Sequence, residues 1–283
     1  MKTENTIEID KRLIRQHSIN LLREIQSVLD KNGIIFWIDQ GTLLGAIRDN
    51  DFIPWDWDID LSAWKSQFNG NTSVWDDLSN AGFYIFHLKK SQHIRLEKKN
   101  PTIGDRHVDI HLFDKKQDVA ISYFYTFNKN IGERFLLIII DYFSKVYEMK
   151  NGPTLSMKVI SHKILEIQGY KGTISISKDD SSFFSFSSYI RKIFGSLFSN
   201  DIIIAVKNYF YQIRLNLYGV MLKVRIPYRY FSNFEERKLL DSYYMIPEDV
   251  IGYLEYRYGE NWKIPKKEYD FIQEDGSLKH ENV

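Results

Sequence analysis

The chain has 283 residues, with 38 Lys and Arg against 37 Asp and Glu and no cysteine. That length suits one large domain or a core with an elaboration, and the missing thiols exclude disulfides and thiolate metal sites. The near-zero net charge is unevenly spread: residues 151–230 carry eleven Lys and Arg against four Asp and Glu, a surplus of about +7 that leaves about −6 elsewhere.

The first ten residues mix charges without an apolar centre and do not read as a signal peptide. The longest apolar run, Phe135 to Ile140, is far shorter than the roughly twenty residues a bilayer span needs. The expectation is a cytoplasmic protein, with work at the inner face of the membrane and peripheral contact with it left open. No nucleic-acid recognition motif is present, so nucleic acid is not an expected partner.

In chain order, Ile14, Leu21, Leu22, Ile25, Val28 and Leu29 fall on one helical face, and Asn32-Gly33 is a helix stop. Ile34 to Ile38 reads as a buried strand, Gly41-Thr42 as a turn, and Leu43 to Arg48 as a short helix. Asp58 to Leu61 reads as a second strand and Asp76 to Ala81 as a helix ended by Gly82. Phe83 to Leu88 and His93 to Glu97 read as strands joined by a polar turn, Lys89 to Gln92. His107 to Phe113 alternates as another strand, followed by a polar turn from Asp114 to Asp118. Tyr123 to Tyr147 and Ser188 to Val224 are helix-compatible, although the second contains the β-branched run Ile202 to Ile204. Lys171 to Ser182 is a Ser-rich polar loop, and Glu248 to Tyr258 a helix stopped by Gly259.

The chemistry concentrates between residues 39 and 61. Side chains alternate faces along a strand, so Asp58 and Asp60 share one face while Ile59 and Leu61 share the other. Two adjacent carboxylates are mutually unfavourable without a counter-charge, and a divalent cation, Mg²⁺ or Mn²⁺, is the usual one. Asp109 shares a face with His107 and His111, so three carboxylates converge if its strand lies beside Asp58 and Asp60. That geometry suits metal-assisted phosphoryl or nucleotidyl transfer. The Gly41-Thr42 turn offers backbone N–H groups to a phosphate, and Arg48 and Arg95 are candidates for contacts to a donor phosphate. Asp39 either fixes the turn or serves the donor site. Asp56 reads either as a loop cap or as a further metal ligand. His107 and His111 read as supporting partners of the acids or as strand-surface residues, with a His–Asp metal site as the remaining alternative.

The block Asp-Gln-Gly-Thr-Leu-Leu-Gly-Ala-Ile-Arg, followed by Phe-Ile-Pro-Trp-Asp-Trp-Asp-Ile-Asp, resembles the LicD/fukutin family. The tail, from Tyr243 through Ile246-Pro247-Glu248 and Tyr253 to Gly259 to Trp262 and Pro265, is similar to the family's closing block. The resemblance implies an α+β fold with a mixed sheet, a nucleotidyltransferase core of the polymerase β type, carrying here a helical elaboration. It also implies metal-dependent transfer of a phospho-alcohol, such as phosphocholine, ribitol phosphate or glycerol phosphate. The donor would be CDP-activated, the acceptor a glycan or lipid-linked glycan, and CMP the leaving product. Asp58 and Asp60 take the place of the family's metal pair, Asp109 of its third acid, as ligand or as base, and Gly41-Thr42 of its turn. One departure is Trp57, which stands where the family usually has an acid; on alternation it points away from Asp56, Asp58 and Asp60. The expected organisation is a catalytic core at residues 1–115, a mainly helical elaboration on the acceptor side at 116–240, and a closing block at 241–283. A true nucleotidyltransferase and a catalytically idle glycan-assembly protein remain the alternatives.

Overall fold

The structure, a computed structural model, describes residues 7–87, 91–100, 106–128, 130–151, 173–176, 193–239 and 242–278. It opens with a short strand, β1 (Ile7–Asp10), and a long helix, α1 (Lys11–Lys31). The predicted stop holds: Gly33 adopts φ +65 and lets the Ile34 N–H reach back to the Leu29 carbonyl at 2.9 Å.

Strand β2 (Phe36–Ile38) leads into α2 (Gln40–Arg48), and β3 (Asp58–Trp64) carries the acid pair. Helix α3 (Ser73–Asn80) is followed by β4 (Phe83–His87), β5 (His93–Lys98), β6 (His107–Lys116) and β7 (Val119–Phe127). Next come α4 (Ile131–Asn151), β8 (Thr173–Ile176), α5 (Asn200–Tyr218) and β9 (Gly219–Pro227), then β10 (Phe234–Leu239), β11 (Ser242–Pro247), α6 (Val250–Tyr258) and α7 (Phe271–Glu274).

The main sheet runs β2-β3-β6-β5-β4, with β7 pairing β6 and β9 pairing β7. It is mixed: β3 and β6 are parallel, whereas β2–β3, β5–β6 and β6–β7 are antiparallel. Together with the helices this is the α+β fold with a mixed sheet that the sequence implies. Its apolar face carries Ile59, Leu61 and Ala63 from β3 and Val108, Ile110 and Leu112 from β6, all at most 1% exposed. The opposite face is polar at one end and aromatic at the other. Trp37 packs there on Phe231 at 4.9 Å and Phe234 at 4.8 Å between ring centroids, and Phe113 meets Phe231 edge-on at 5.2 Å.

Several boundaries differ from the sequence reading. Gly41 and Thr42 lie inside α2, because the buried Asp39 caps Gln40 and starts the helix three residues earlier. Residues 123–127 extend β7 and are not helical. Its Val, Ile, Tyr, Phe and Thr residues favour an extended backbone, and α4 starts only after Asn130, whose side chain accepts from the Glu133 N–H at 2.9 Å. In the segment from Ser188 to Val224, Ile202 to Ile204 are helical, but the helix ends at Tyr218 and residues 219–227 form a strand. The expected Ser-rich loop contains β8, which pairs antiparallel with β1.

The chain divides into two compact units. One comprises Leu22–Glu97, His107–Tyr125 and Met221–Val283 and holds the main sheet and the acids. The other comprises Met1–Leu21, Lys98–Arg106 and Thr126–Val220. In this second unit α4 and α5 pack together, with Phe143 stacked on Phe210 at 6.2 Å and a buried Glu133 accepting from Arg214. Much of the basic, aromatic stretch, including Arg191 and Lys192, lies outside the described residues. Among the described residues no helix is long and apolar enough to cross a membrane.

Candidate active site

The parallel register of β3 and β6 builds the site. Asp58 stands beside His107, Asp60 beside Asp109, and Ser62 beside His111. On the other side of β6, Arg95 stands beside Asp109 and His93 beside His111. Alternation puts all of these side chains on one face, so three neighbouring strands form a single polar surface. Asp58, Asp60 and Asp109 are therefore brought together, as their spacing implies.

Asp56, Asp58 and Asp60 each present a carboxylate oxygen within 4.8 Å of the others. The start of α2 lies against them. The Gly41 N–H donates to Asp60 Oδ2 at 3.1 Å, and Thr42 Oγ1 accepts from the Asp60 N–H at 2.8 Å. A side chain at Gly41 would collide with the Asp56 carboxylate, which makes glycine necessary for this close approach. In this structure Gly41 and Thr42 thus hold the acid strand.

Asp109 is the most heavily paired of the acids. Arg95 forks onto it with Nε–Oδ1 at 2.9 Å and Nη2–Oδ2 at 2.8 Å, and His93 Nε2 lies 3.1 Å from Oδ1. Arg48 lies at the far end of α2, about 10 Å along the helix from Gly41, with its guanidinium forked on Asp49 at 2.9 and 2.6 Å.

The charges pull one another apart. Burial pushes Asp60 up, and the like charges of Asp58, Asp109 and Asp39 push it further, so its carboxyl stands well above the ordinary range. Burial also acts on Asp58, but the neighbouring His107, with Nε2 3.6 Å from Oδ2, outweighs it and brings Asp58 down to about 2. For Asp109 burial is likewise outweighed, by Arg95, His93 and His107, which hold it well below the usual carboxylate range. His107 is raised to about 9, since Asp109 and Asp58 overcome its burial and the repulsion of Arg95. An acid as strongly held as Asp109 is a weak proton acceptor, which favours its reading as a ligand or anchor over that of a base.

Asp39 is fully buried and surrounded by donors. Its Oδ1 accepts from the Gln40 N–H at 2.7 Å, Tyr253 Oη at 2.6 Å and Arg257 Nη1 at 3.5 Å; its Oδ2 accepts from Ser62 Oγ at 2.6 Å. Arg257, 1% exposed, also bonds Asp275 Oδ2 through Nε at 3.0 Å and Nη2 at 2.8 Å. Asp39 is therefore a fixing point between the acid strand and the tail. In the tail, Tyr253 and Trp262 are buried. The link from Asp39 through Tyr253 and Arg257 to Asp275 was not anticipated. Ser62 could have been found by alternation from Asp58 and Asp60, whereas the tail partners carry no local signal.

The cluster fits a divalent cation. Asp56, Asp58 and Asp60 offer hard oxygen ligands, Gly41 gives them room, and the raised proton affinity of Asp60 is the mark of a buried carboxylate short of positive charge.

Residues 33–136 match the model of the LicD/FKTN/FKRP nucleotidyltransferase domain. The match covers the acid strands and α2. Among individual proteins, the chain is 29% identical to the human ribitol 5-phosphate transferase FKRP over 90 residues, 26% of this chain and 18% of that one. It is 35% identical to the lipopolysaccharide cholinephosphotransferase LicD of Haemophilus influenzae over 57 residues, 20% of this chain and 22% of that one. The matched stretch thus spans less than a quarter of either relative's own length. A solved structure of ANT(2")-Ia in complex with adenylyl-2"-tobramycin aligns with a TM-score of 0.28 at 17% identity, over 36% of this chain and 53% of that one.

Proposed function

The chain matches the LicD/FKTN/FKRP nucleotidyltransferase family over its acid-bearing core, and from that premise we propose that it transfers a phospho-alcohol from a CDP-linked donor to a sugar hydroxyl. The observation that carries this reading is the oxygen cluster of Asp56, Asp58 and Asp60 beneath the start of α2. The two named relatives, a ribitol 5-phosphate transferase and a cholinephosphotransferase, support the phospho-alcohol; the second, acting on lipopolysaccharide, supports a glycan or lipid-linked glycan acceptor. The proposal includes work on the cytoplasmic side, at the face where such acceptors are assembled.

Asp56, Asp58 and Asp60 would hold Mg²⁺ or Mn²⁺, with Asp109 anchored beside them by Arg95. A bound cation supplies charge neutralisation for the donor diphosphate and favours an in-line displacement. The acceptor hydroxyl attacks the phosphorus that bears the alcohol. One P–O bond forms as the bond to CMP breaks, and the hydroxyl proton passes to a carboxylate of the cluster. Arg95, 40% exposed at its side chain, reaches the rim while fixing Asp109, which suits a contact to the donor phosphate.

The test is incubation of the full chain with CDP-choline, CDP-ribitol, CDP-glycerol and nucleoside triphosphates, in the presence of Mg²⁺ and a glycan acceptor. Acceptor-dependent release of CMP from one CDP-alcohol is the expected result. Pyrophosphate from a triphosphate would move the reading to nucleotidyl transfer, and no turnover with any donor would sink both.

A further inference from the structure

Helix α4 carries two apolar faces. Leu136, Ile140 and Tyr147 are buried on the same side as Glu133, the partner of Arg214 on α5. Ile131, Phe135 and Ile138 stand at i, i+4 and i+7 on the opposite side and are 87%, 63% and 65% exposed. Single exposed apolar side chains are ordinary on a protein surface. Three large ones in helical register, outside a helix whose inner side is already packed, mark a surface that meets an apolar partner. Arg134 is exposed beside them.

We propose that this outer face of α4 docks on the surface of an anionic lipid bilayer, with Ile131, Phe135 and Ile138 among the upper acyl chains and Arg134 at the headgroup phosphates. Charge selects this occupant. The unit that holds α4, composed of Met1–Leu21, Lys98–Arg106 and Thr126–Val220, carries 19 Lys and Arg against 11 Asp and Glu, a surplus of +8, whereas the rest of the chain carries 19 against 26. Two copies joined through this face would set one positive unit against another, while an anionic leaflet attracts it. Among the described residues no helix is long and apolar enough to cross a membrane, so the contact is of the kind that lies in the interface, about 5–10 Å deep. An arginine at such a border lays its apolar stem along the stripe and its guanidinium against lipid phosphate.

The inference stands apart from the transferase reading, and its test uses no turnover. The full chain is sedimented with vesicles of equal parts phosphatidylcholine and phosphatidylglycerol, and with vesicles of phosphatidylcholine alone. The expected result is binding to the anionic vesicles that weakens as salt is raised, with little binding to the neutral ones. Replacing Ile131, Phe135 and Ile138 together by Ser should weaken the anionic binding at least about tenfold, and Arg134→Glu should weaken it by about fivefold or more. A second measurement does not depend on the folding of the triple variant. The chain has no cysteine, so Ile138→Cys carries a single environment-sensitive fluorophore, whose emission should move to the blue on anionic vesicles. The same label at Ile251→Cys, exposed on α6 in the acidic unit, should not move. No binding by the parent protein, equal binding to neutral vesicles, binding that survives in a folded triple variant, or a label at residue 138 that stays in water overturns the proposal. A parent dimer that the triple variant turns into a monomer, seen by sedimentation velocity, assigns the face to a second copy and overturns it as well.

Discussion

Asp39 and Asp60 are joined by one backbone hydrogen bond, from the Asp39 N–H to the Asp60 carbonyl at 3.1 Å, and both carboxylates are buried. Their surroundings are opposite. Asp39 accepts from a backbone N–H, a serine, a tyrosine and an arginine. Asp60 accepts from the Gly41 N–H and faces His111 at 3.4 Å, with the carboxylates of Asp56 and Asp58 close by. A buried charge that serves the fold is enclosed by donors, because leaving it short is costly. A buried charge that serves a ligand is left short, and the ligand completes it. The deficit at Asp60 and the surplus at Asp39 are the two halves of that rule, set side by side in one site.

The sharpest way to break the contrast is at Arg257. Arg257→Met leaves Asp275 and Asp39 buried with a lost partner, and we expect a loss of about 3–5 kcal/mol in stability, measured by urea unfolding without metal. A loss below about 1 kcal/mol would mean the tail network is not what holds Asp39. Asp60→Asn should act in the other direction. Transfer should fall by about 10²–10³-fold, while the melting temperature in chelator stays level or rises, because a repelled charge has been removed and an acceptor for the Gly41 N–H kept. Retained turnover, or a large drop in melting temperature, would make Asp60 a structural acid like Asp39. Tyr253→Phe removes one hydrogen bond to Asp39 and should cost about 1.5–3 kcal/mol with little change in Mg²⁺ affinity measured by calorimetry. Gly41→Ala sharpens the opposite end. The new methyl displaces the Asp56 carboxylate, and Mg²⁺ affinity should fall by about tenfold in a protein that melts close to the parent.

The acid-bearing half of this comparison was legible in the sequence. Strand alternation alone places Asp58 and Asp60 together, and His107, Asp109 and His111 together, and the parallel ladder brings the two sets into register. The Asp39 half was not. Its partners Tyr253 and Arg257 lie 214 and 218 residues away, and no local period links residues so far apart. The start of α2 was misplaced for a local reason: a Gly-Thr pair reads as a turn until the buried Asp39 is seen to cap Gln40. Residues 123–127 of β7 and 219–224 of β9 were read as helix-compatible because aromatic and β-branched residues fill either a buried helix or a sheet, and only pairing with β6 and with each other decides between them.

The long reach from Asp39 to Arg257 also sets an order of events during synthesis. The acid strand and the helix that abuts it are made first, but the arginine that encloses Asp39 is made 218 residues later. At roughly 5–20 residues per second, the nascent chain waits on the order of ten to forty seconds before that partner exists. During this interval Asp39 has Ser62 and its own helix for company but no cation. Arg257 therefore marks a chain that has been carried past this point: a product cut short before it keeps every carboxylate of the cluster and lacks the cation that allows Asp39 to stay buried beside them.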